Sequence, residues 1–438
     1  MAKTFNGGVH PYEGKELTED KPVVPYEPKG LMVYPLSQHI GAPAVPCVNK
    51  GDRVLRGQKI AEAGGFVSAA IFSSVSGTVQ SIAPHRVANG DMVSSIIIQN
   101  DGLYEEVIFD VAADPYTLSE EEIIGKIKDA GIVGMGGAGF PTHVKLSPKE
   151  PAKIDHIIAN CSECEPYLTS DYRQMIDDPG SLVEGMKLIL TVFRKAKGVF
   201  AIEDNKPAAI EAVSELIKGE RRMEICVLKT KYPQGGERQL IKAVTGREVN
   251  SKMLPADAGC IVDNVATLVA VFNAVKYGRP IMNRLFTVSG DAIEDPKNYL
   301  VYTGTSMKEL LEEAGNDPEK TAKYISGGPM MGFAMFDTDV PITKTNSSIL
   351  AFTEDEVSKN KTTACINCGK CVEVCPERLV PSRLAKMADH GDAAGFEKWY
   401  GLECIECGSC SFICPAKRPL AQSIRIMKRS VLAAKRKK

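Results

Sequence analysis

Eight of the 13 cysteines in this 438-residue chain fall into two runs near the C-terminus with identical spacing. Each run reads C-x2-C-x2-C-x3-C-P; the first contains Cys365, Cys368, Cys371 and Cys375, and the second contains Cys404, Cys407, Cys410 and Cys414. In proteins with two 4Fe–4S clusters, this spacing supplies three thiolates from one run and the fourth from the other. We therefore predict one cluster on Cys365, Cys368, Cys371 and Cys414, and a second on Cys375, Cys404, Cys407 and Cys410.

Zinc is the alternative to iron, because paired C-x2-C units also bind zinc. A zinc site needs four sulfur ligands for each ion and leaves the x3-C-P ends without a role. Clusters also constrain the compartment, since iron needs reduced thiolates whereas oxidising compartments favour disulfides. The sequence therefore predicts an electron carrier in a reducing compartment.

The chain is longer than one hydrophobic core usually supports, so three or four domains are expected. The formal net charge of −2 argues against binding to nucleic acid through bulk positive charge. The first residues contain no apolar segment of the kind that directs export, and the sequence has no run of about 18 apolar residues. We expect a protein that reaches a membrane only through other subunits.

The N-terminal part of the chain predicts two segments. Residues 1–30 are rich in proline, glycine, lysine and glutamate and predict an extended arm laid on another part of the molecule. Residues 31–105 contain short β-branched runs separated by Gly-Asp and Ser-Gly turns, and they resemble the barrel-sandwich domain of biotinyl and lipoyl carriers. Those carriers attach a prosthetic group to a lysine, but the corresponding segment 64–72 contains none. The resemblance implies an unmodified domain used for docking.

Residues 106–280 alternate between apolar β runs and helical segments, which predicts an α/β domain with a parallel sheet. Ser119 and Glu122 form a capping-box pattern that opens a helix. The predicted strands are 154–159, 198–203 and 223–229, and the predicted helices between them are 180–195 and 207–218. Ligand loops follow the carboxyl ends of parallel strands. We expect such loops at 160–167, 203–205 and 230–237.

The C-terminal part predicts two more domains and a tail. Residues 281–350 combine a hairpin-like run with an amphipathic helix and fit a β-grasp module. Residues 351–425 hold the cysteine runs, and the 28-residue insert between the runs predicts a helical type of ferredoxin domain. The basic tail, 426–438, predicts an amphipathic helix or a frayed terminus. The chain is thus expected to be a multidomain α/β and β protein: a barrel-sandwich hybrid, a Rossmann-like α/β domain, a β-grasp module and a two-cluster ferredoxin domain.

A glycine-rich segment from Gly134 to Gly139 formally satisfies the G-x-G-x-x-G fingerprint of dinucleotide-binding turns. That fingerprint must follow a strand and open a helix. Here the segment follows a predicted helix and Pro141 comes soon after it, so we do not expect a Rossmann dinucleotide turn. Taken alone, the segment is as consistent with a structural turn as with a ligand loop.

Four motifs in this region occur in the order found in the flavoprotein subunit of respiratory complex I. They are G-G-A-G-F-P-T at 136–142, N-x-x-E-x-E-P at 160–166, G-E at 236–237 and N-V-x-T at 264–267. The domain resembles that flavoprotein, which implies noncovalent FMN with NAD(H) stacking on the open face of the flavin. The residues that the resemblance assigns to cofactor binding are Gly134, Gly136, Gly137, Ala138, Gly139, Phe140, Lys145, Asn160, Glu163, Glu165, Gly236, Glu237, Asn264 and Thr267.

The residue types suit these roles. Glycines let backbone amides approach the flavin and its phosphate, and Lys145 supplies a positive charge. Phe140 is suited to stack on the nucleotide, and the resemblance implies that Glu165 is the catalytic carboxylate beside the nicotinamide. Two positions depart from the family's pattern, because Ser162 and Arg238 stand where carboxylates are found. Both changes remove negative charge from the nucleotide pocket.

The order of all the predicted parts resembles one family, the C subunits of Rnf electron-transport complexes. The resemblance rests on F-N-G-G-V-H-P at 5–11, the barrel-sandwich segment, the flavin motifs, G-G-P-M-M-G at 327–332 and the two cysteine runs. It implies a peripheral subunit on the cytoplasmic face of the cell membrane, in a complex that couples electron transfer between ferredoxin and NAD to Na+ or H+ translocation. The implied partners are membrane subunits of the same complex, a ferredoxin-type iron–sulfur subunit and NAD(H).

Two other functions stay open at this point. A soluble NADH-linked diaphorase subunit of a hydrogenase or dehydrogenase uses the same kind of flavin domain, but it does not need the carrier-like N-terminal domain. A scaffold that carries clusters without flavin would contain no FMN when purified.

Overall fold

The computed structural model describes residues 2–436. Four structural units follow one another along the chain: paired small sheets, a parallel sheet flanked by helices, a mixed six-stranded sheet and a helical unit. Short 3-10 turns occur at Lys15–Leu17, Pro115–Thr117, Pro151–Lys153, Pro255–Ala258 and Gly401–Glu403. This order of units agrees with the fold class predicted from the sequence.

The N-terminal unit is a barrel-sandwich of two antiparallel sheets. Its strands, after β1 (Val24–Tyr26) in the arm, are β2 (Leu31–Pro35), β3 (Val45–Pro46), β4 (Arg53–Val54), β5 (Lys59–Glu62), β6 (Ile71–Phe72), β7 (Gly77–Arg86) and β8 (Met92–Asn100). One sheet has the order β2-β8-β7-β4 and the other β3-β5-β6. Alternate residues of these strands are buried between the sheets, among them Val54, Ile60 and Ile98.

The second unit is an α/β domain whose four strands are all parallel. Its elements are α1 (Glu120–Asp129), α2 (Thr142–Lys145), β9 (His156–Cys161), α3 (Ser170–Asp177), α4 (Pro179–Val192), β10 (Lys197–Glu203), α5 (Pro207–Leu216), β11 (Met223–Leu228), α6 (Glu237–Thr245), β12 (Cys260–Asn264) and α7 (Val265–Tyr277). The strand order is β11-β10-β9-β12. The predicted capping box on Ser119 is confirmed. The carboxyl ends of all four strands meet at one edge, where the predicted ligand loops lie.

The third unit is the mixed sheet of the β-grasp module. It contains β13 (Asn283–Ser289), β14 (Lys297–Tyr302), α8 (Met307–Glu313), β15 (Lys323–Ser326), β16 (Phe333–Met335) and β17 (Ser348–Phe352). The order is β1-β14-β13-β17-β15-β16, so the arm strand β1 adds a parallel edge to this sheet. Phe286 and Ile349 of the sheet pack with Leu310 of α8 to form its core.

The N-terminal arm joins three units. The amide of Val9 donates to the Tyr232 carbonyl of the α/β domain, and the amide of Gly8 donates to the Val374 carbonyl in the first cysteine run. At Gly7, φ is 83° and an added Cβ would lie 2.9 Å from the same Val374 carbonyl oxygen, so a larger residue cannot take this path. The prediction of an arm that lies on another part of the molecule is confirmed by these contacts.

The fourth unit is helical and carries both cysteine runs. Its helices are α9 (Glu356–Lys359), α10 (Lys370–Glu373), α11 (Pro381–Asp389), α12 (Ala393–Lys398), α13 (Ser409–Phe412) and α14 (Leu420–Arg436). The short helices α10 and α13 start at corresponding places in the two runs, so the cysteine repeat is also a structural repeat. Helices α11 and α12 form the insert, as its sequence predicted.

Helix α14 corrects the predicted boundary between residues 425 and 426. Ile424, Met427 and Val431 lie on one face of this helix and are buried in the core of the cluster domain, which also contains Leu384 of α11. The apolar residues at helical spacing therefore fill the domain core, and the basic segment continues the domain instead of forming a separate tail. Lys437 and Lys438 of that segment lie outside the described residues.

Within residues 2–436, no helix has the length and apolar character needed to cross a bilayer.

Candidate functional site

The glycine-rich segment forms a closed loop between α1 and α2. A bridge between Val133 and Pro141 closes its base, and the Gly134 amide donates to the Phe140 carbonyl at 2.9 Å. The loop therefore lies between two helices and does not follow a strand. The prediction that this segment is not a Rossmann dinucleotide turn is confirmed.

The tip of this loop carries backbone donors that lack an acceptor, and Gly136, Gly137 and Ala138 are exposed. Among the hydrogen bonds of residues 2–436, no acceptor pairs with the amides of Gly136, Gly137, Ala138 or Gly139. A Cβ added at Gly137 would meet no atom within 4 Å, so space is open above it. Successive unpaired amides form a concave site that suits anions, and glycine lets a ligand approach closely. The loop thus fits the phosphate and ring of a flavin mononucleotide.

The barrel-sandwich domain supports the loop from behind. The Ile40 amide donates to the Ala138 carbonyl at 3.2 Å. At Gly139, φ is 70° and an added Cβ would lie 2.9 Å from the Gln38 carbonyl oxygen. Only glycine allows this close approach of two domains. The contacts agree with a docking role for the barrel-sandwich domain.

The N-terminus of α7 lies directly beside the loop. The Thr267 hydroxyl oxygen accepts the Met135 amide at 2.9 Å, and Asn264 caps the helix by accepting the Ala266 amide at 2.9 Å. The Asn264 side-chain amide also donates to Asp171 at 2.6 Å. Burial, reinforced by a neighbouring carboxylate, raises the pKa of Asp171. A helix N-terminus and free loop amides therefore converge where the flavin phosphate is expected.

Lys145 lies below the carboxyl edge of the sheet, in a buried acidic environment. Its ammonium group donates to the Val262 carbonyl at 2.6 Å and to Asp263 at 3.0 Å. Burial alone would lower the pKa of Lys145, but the Asp263 and Glu237 carboxylates outweigh it and raise the pKa. Burial raises the pKa of Glu237, which lies in the first turn of α6 after Gly236. Lys145 thus lies near the proposed flavin site, but its charge is already paired with Asp263.

The loop after β9 brings together Asn160, Glu163 and Glu165. The Asn160 side chain donates to the Gly235 carbonyl at 2.9 Å, which links this loop to the segment before α6. The Glu163 carboxylate accepts the Asp171 amide at 2.7 Å and so caps helix α3. Glu163 is therefore held by α3, within the same domain.

A buried lysine from the arm holds the same loop. The Lys15 ammonium group donates to the carbonyls of Glu163 at 2.9 Å, Glu165 at 3.1 Å and Leu168 at 2.5 Å. Burial lowers its pKa. Sequence reasoning missed this role, and the available signal was a lone lysine in an arm expected to lie on another domain.

Glu165 connects the α/β domain to the β-grasp module. Its carboxylate accepts the amides of Met330 at 3.1 Å and Met331 at 2.9 Å, in the second glycine-rich segment. Burial raises the pKa of Glu165 to about 7. The structure places this carboxylate at the junction of two domains, and its catalytic role stays a prediction.

Glu165 is expected to make stability depend on pH. Its pKa is about 7 in the folded chain against an ordinary value of 4.5, so folding favours the protonated form. The contribution of Glu165 is complete below about pH 4.5 and is lost as pH rises to about 7. Glu165→Gln removes this titration. The melting temperature of the variant, measured relative to that of the wild type, should therefore rise between pH 5 and pH 7.5. A difference that stays constant over this range would show that Glu165 does not titrate there.

Four cysteines from both runs line one pocket in the cluster domain. They are Cys375, Cys404, Cys407 and Cys410, and the other lining residues are mostly apolar, among them Leu379, Leu384 and Ile424. Burial raises the pKa of Cys375 to about 11 and that of Cys404 to about 12. Thiolates at such positions need a nearby cation such as iron. This pocket contains the full set that the sequence predicts for one cluster, and we call it the near pocket.

The other four predicted ligands lie closer to solvent. Cys365 and Cys368 are exposed, Cys371 is buried and Cys414 is half-buried. Within residues 2–436, and so in the near pocket as well, no group of three or more His, Cys, Asp or Glu side chains is arranged to hold a single metal ion. The assignment of Cys414 to this set stays a prediction.

The near pocket borders the ligand loops at 160–167 and 230–237, which we call the flavin loops. The Tyr232 hydroxyl donates to the Cys407 carbonyl at 2.8 Å. Cys164 and Met330 pack on Tyr232 and Cys407 in one apolar cluster. The pocket is therefore separated from the loop after β9 by packed side chains and not by solvent.

Arg238 explains one departure from the complex I pattern. Its guanidinium forms ion pairs of 3.1 Å with both Glu377 and Glu403, which flank cysteines of the near pocket. Gln239 donates to Glu377 at 2.6 Å. The arginine therefore docks the cluster domain onto α6, a role that sequence reasoning missed although the substitution itself was visible.

Four domain families match successive parts of the chain. They are the RnfC barrel sandwich hybrid domain over residues 3–103, the Nuo51 FMN-binding domain over 127–273, the SLBB domain over 285–334 and the 4Fe-4S dicluster domain over 364–418. These matches agree with the four structural units. They identify FMN and 4Fe–4S clusters as the cofactors.

A solved NAD+-reducing NiFe-hydrogenase in its H2-reduced state has a similar fold. It aligns with a TM-score of 0.51 at 20% identity and covers 74% of this chain and 63% of that chain. This likeness concerns the fold alone.

Two relatives match over nearly their whole length. The C subunit of the proton-translocating ferredoxin:NAD(+) oxidoreductase complex of Clostridium ljungdahlii is 45% identical over 436 residues, covering 99% of this chain and 95% of the relative. The C subunit of the Na(+)-translocating ferredoxin:NAD(+) oxidoreductase complex of Acetobacterium woodii is 43% identical over 438 residues, covering 99% and 98%. This chain therefore belongs to the RnfC family, the C subunits of ion-translocating ferredoxin:NAD(+) oxidoreductase complexes.

Proposed function

We propose that this protein is the peripheral NAD(H)-reacting subunit of its complex, on the cytoplasmic face of the cell membrane. It exchanges hydride between NAD(H) and FMN and relays single electrons through two 4Fe–4S clusters. The observation that carries this proposal is the contact between the near pocket and the flavin loops, where Tyr232 donates to the Cys407 carbonyl. Two redox sites that share packed side chains are suited to exchange electrons.

FMN, when bound, exchanges both hydride and single electrons and so connects a two-electron donor to one-electron clusters. The chain holds FMN noncovalently, and the free amides from Gly136 to Gly139 bind its phosphate or ring. Asn264 and Thr267 keep the N-terminus of α7 against this loop. Phe140 is half-buried at the base of the loop and is the residue proposed to stack on the nucleotide.

The two cysteine sets differ in their distance from the α/β domain, and this difference orders the two clusters along the electron path. The near pocket lies against the α/β domain, whereas Cys365 and Cys368 are exposed. We assign the near pocket to the cluster that exchanges electrons with FMN. The exposed set then meets the ferredoxin-type subunit or the membrane subunits of the complex, which carry the ion translocation.

The coupling ion is Na+ or H+. The two relatives at 45% and 43% identity are named for different ions, so family membership is shared by both kinds of complex.

A comparison of two activities tests the relay. Cys365→Ala removes a ligand of the exposed cluster and leaves the near pocket and the flavin loop in place. In the assembled complex, ferredoxin-dependent NAD+ reduction should fall to about 1% or less of wild type, as expected when a relay step is lost. NADH oxidation by ferricyanide, which can take electrons from FMN, should stay within about twofold of wild type.

The control is Cys47→Ala, which alters an exposed cysteine outside both runs and should change neither activity. Equal losses of both activities in Cys365→Ala would contradict the proposed order, and normal ferredoxin-dependent activity would remove the exposed cluster from the relay.

A further inference from the structure

Two buried basic side chains lie beneath the glycine loop and its base. Arg284 on β13 is 3% exposed and Lys344 is 2% exposed. Within residues 2–436 neither forms an ion pair, and Asp171 is the acidic group whose charge acts on Arg284. Buried charges are usually paired because an unpaired one is costly. Burial lowers the pKa of Lys344 to about 7, so Arg284, which Asp171 influences without forming an ion pair, is the buried positive charge that an anionic ligand can complete.

Both side chains donate to backbone carbonyls of the loop or its base. Arg284 donates through Nη1 to the Met135 carbonyl at 3.1 Å and to the Lys344 carbonyl at 2.6 Å. Lys344 donates through Nζ to the Gly131 carbonyl at 2.8 Å. The Nε of Arg284 is buried and has no hydrogen-bond partner among the described residues. The positive charge of Arg284 thus lies directly under Met135.

The bond to Met135 also determines where the next amide points. A trans peptide directs its carbonyl and its N–H to opposite sides. Because Arg284 holds the Met135 carbonyl on the buried side, the N–H of Gly136 faces the open side of the loop. The positive charge on the carbonyl strengthens that N–H as a donor. Arg284 therefore acts on the ligand side of the loop through one peptide group.

We propose that Arg284 is a positioning residue for the phosphate of FMN, acting through the Met135–Gly136 peptide and through its buried positive charge. The proposal rests on the FMN site proposed above and extends it to a residue of the β-grasp module. The phosphate, and not the flavin ring, is the selected group because the free amides, the N-terminus of α7 and the charge of Arg284 all favour an anion. Arg284 lies beyond the four flavin motifs, so none of them contains it.

The test compares two ligands that differ only in the phosphate. Flavin is removed from the purified full chain, and binding of FMN and of riboflavin is measured by quenching of flavin fluorescence. In Arg284→Met, affinity for FMN should fall by about tenfold or more, as expected for a charge-assisted contact, while riboflavin affinity stays within about threefold. Arg284→Lys, which keeps the charge, should retain most of the preference for FMN.

A matched control is Arg222→Met, since Arg222 also binds backbone carbonyls, those of Leu190 and Arg194, but lies away from the loop. It should leave both affinities unchanged. If Arg284→Met fails to fold, as judged by iron content and melting temperature, Arg284→Gln replaces it, because glutamine can still donate to the Met135 carbonyl without charge. The same loss of FMN preference is expected.

Equal weakening of both ligands would show that Arg284 only supports the loop and would overturn the proposal, as would an unchanged preference for FMN. Failure of the wild-type protein to bind either ligand would instead contradict the FMN site itself.

Discussion

Replacing Cys375 with alanine is expected to remove the cluster of the second cysteine run, although Cys375 belongs to the first run. Cys375 lines one pocket with Cys404, Cys407 and Cys410. A 4Fe–4S cluster needs four thiolates, so the loss of one should reduce iron from about eight to about four atoms per chain. Iron analysis measures the loss, and EPR of the reduced protein identifies the cluster that remains.

A reciprocal variant and a control complete this experiment. Cys414→Ala should instead damage the cluster on Cys365, Cys368 and Cys371. Cys226→Ala changes a buried cysteine in β11, outside both runs, and should leave the iron content unchanged. If Cys375→Ala removes the cluster of the first run, each run holds its own cluster and the crossed assignment is wrong.

Replacing Lys145 with methionine is expected to destabilise the α/β domain strongly. The Lys145 ammonium group lies 3.0 Å from Asp263, whose side chain is 0% exposed. Removing one partner of a buried pair leaves an uncompensated charge and costs about 3–5 kcal/mol. For a domain of this size, such a loss lowers the melting temperature by on the order of 10 °C. Calorimetry of the full chain measures the shift.

The double variant Lys145→Met with Asp263→Asn separates stability from cofactor binding. It removes both charges, so much of the lost stability should return. If Lys145 also binds FMN, flavin affinity should stay low in the double variant although the domain is stable. Recovery of full flavin affinity would show that Lys145 serves only to neutralise Asp263.

The cysteine runs and the parallel strands could both be predicted from the sequence. The spacing of the cysteine runs is set by the local geometry of cluster ligation, so a motif of eleven residues is enough to recognise it. The same holds for the parallel strands of the α/β domain, because strands buried on both faces must be continuously apolar. Both features depend on residues close together in the chain.

The contacts between domains followed from no motif. Arg238, which the sequence shows only as a lost carboxylate, forms ion pairs with Glu377 and Glu403 more than 130 residues away. Lys15 binds carbonyls about 150 residues away. Such partners become neighbours only when the four units pack together, and a single charged residue gives no signal of which carbonyl or carboxylate it will meet.

The C-terminal helix is a second case in which the sequence does not identify the packing partner. Its apolar and basic residues left two structures open, an amphipathic helix and a frayed terminus, and amphipathicity alone does not identify what covers the apolar face. The packing of Met427 and Val431 in the core of the cluster domain decides that question.

By itself, the sequence therefore determined the cluster motifs through their local spacing, whereas the flavin motifs and the order of the domains were recognised by their resemblance to known families. Only the tertiary structure decided that Glu165 joins the β-grasp module and that Arg284 lies beneath the glycine loop. Those arrangements depend on burial and charge pairing between segments far apart in the chain, which no local pattern encodes.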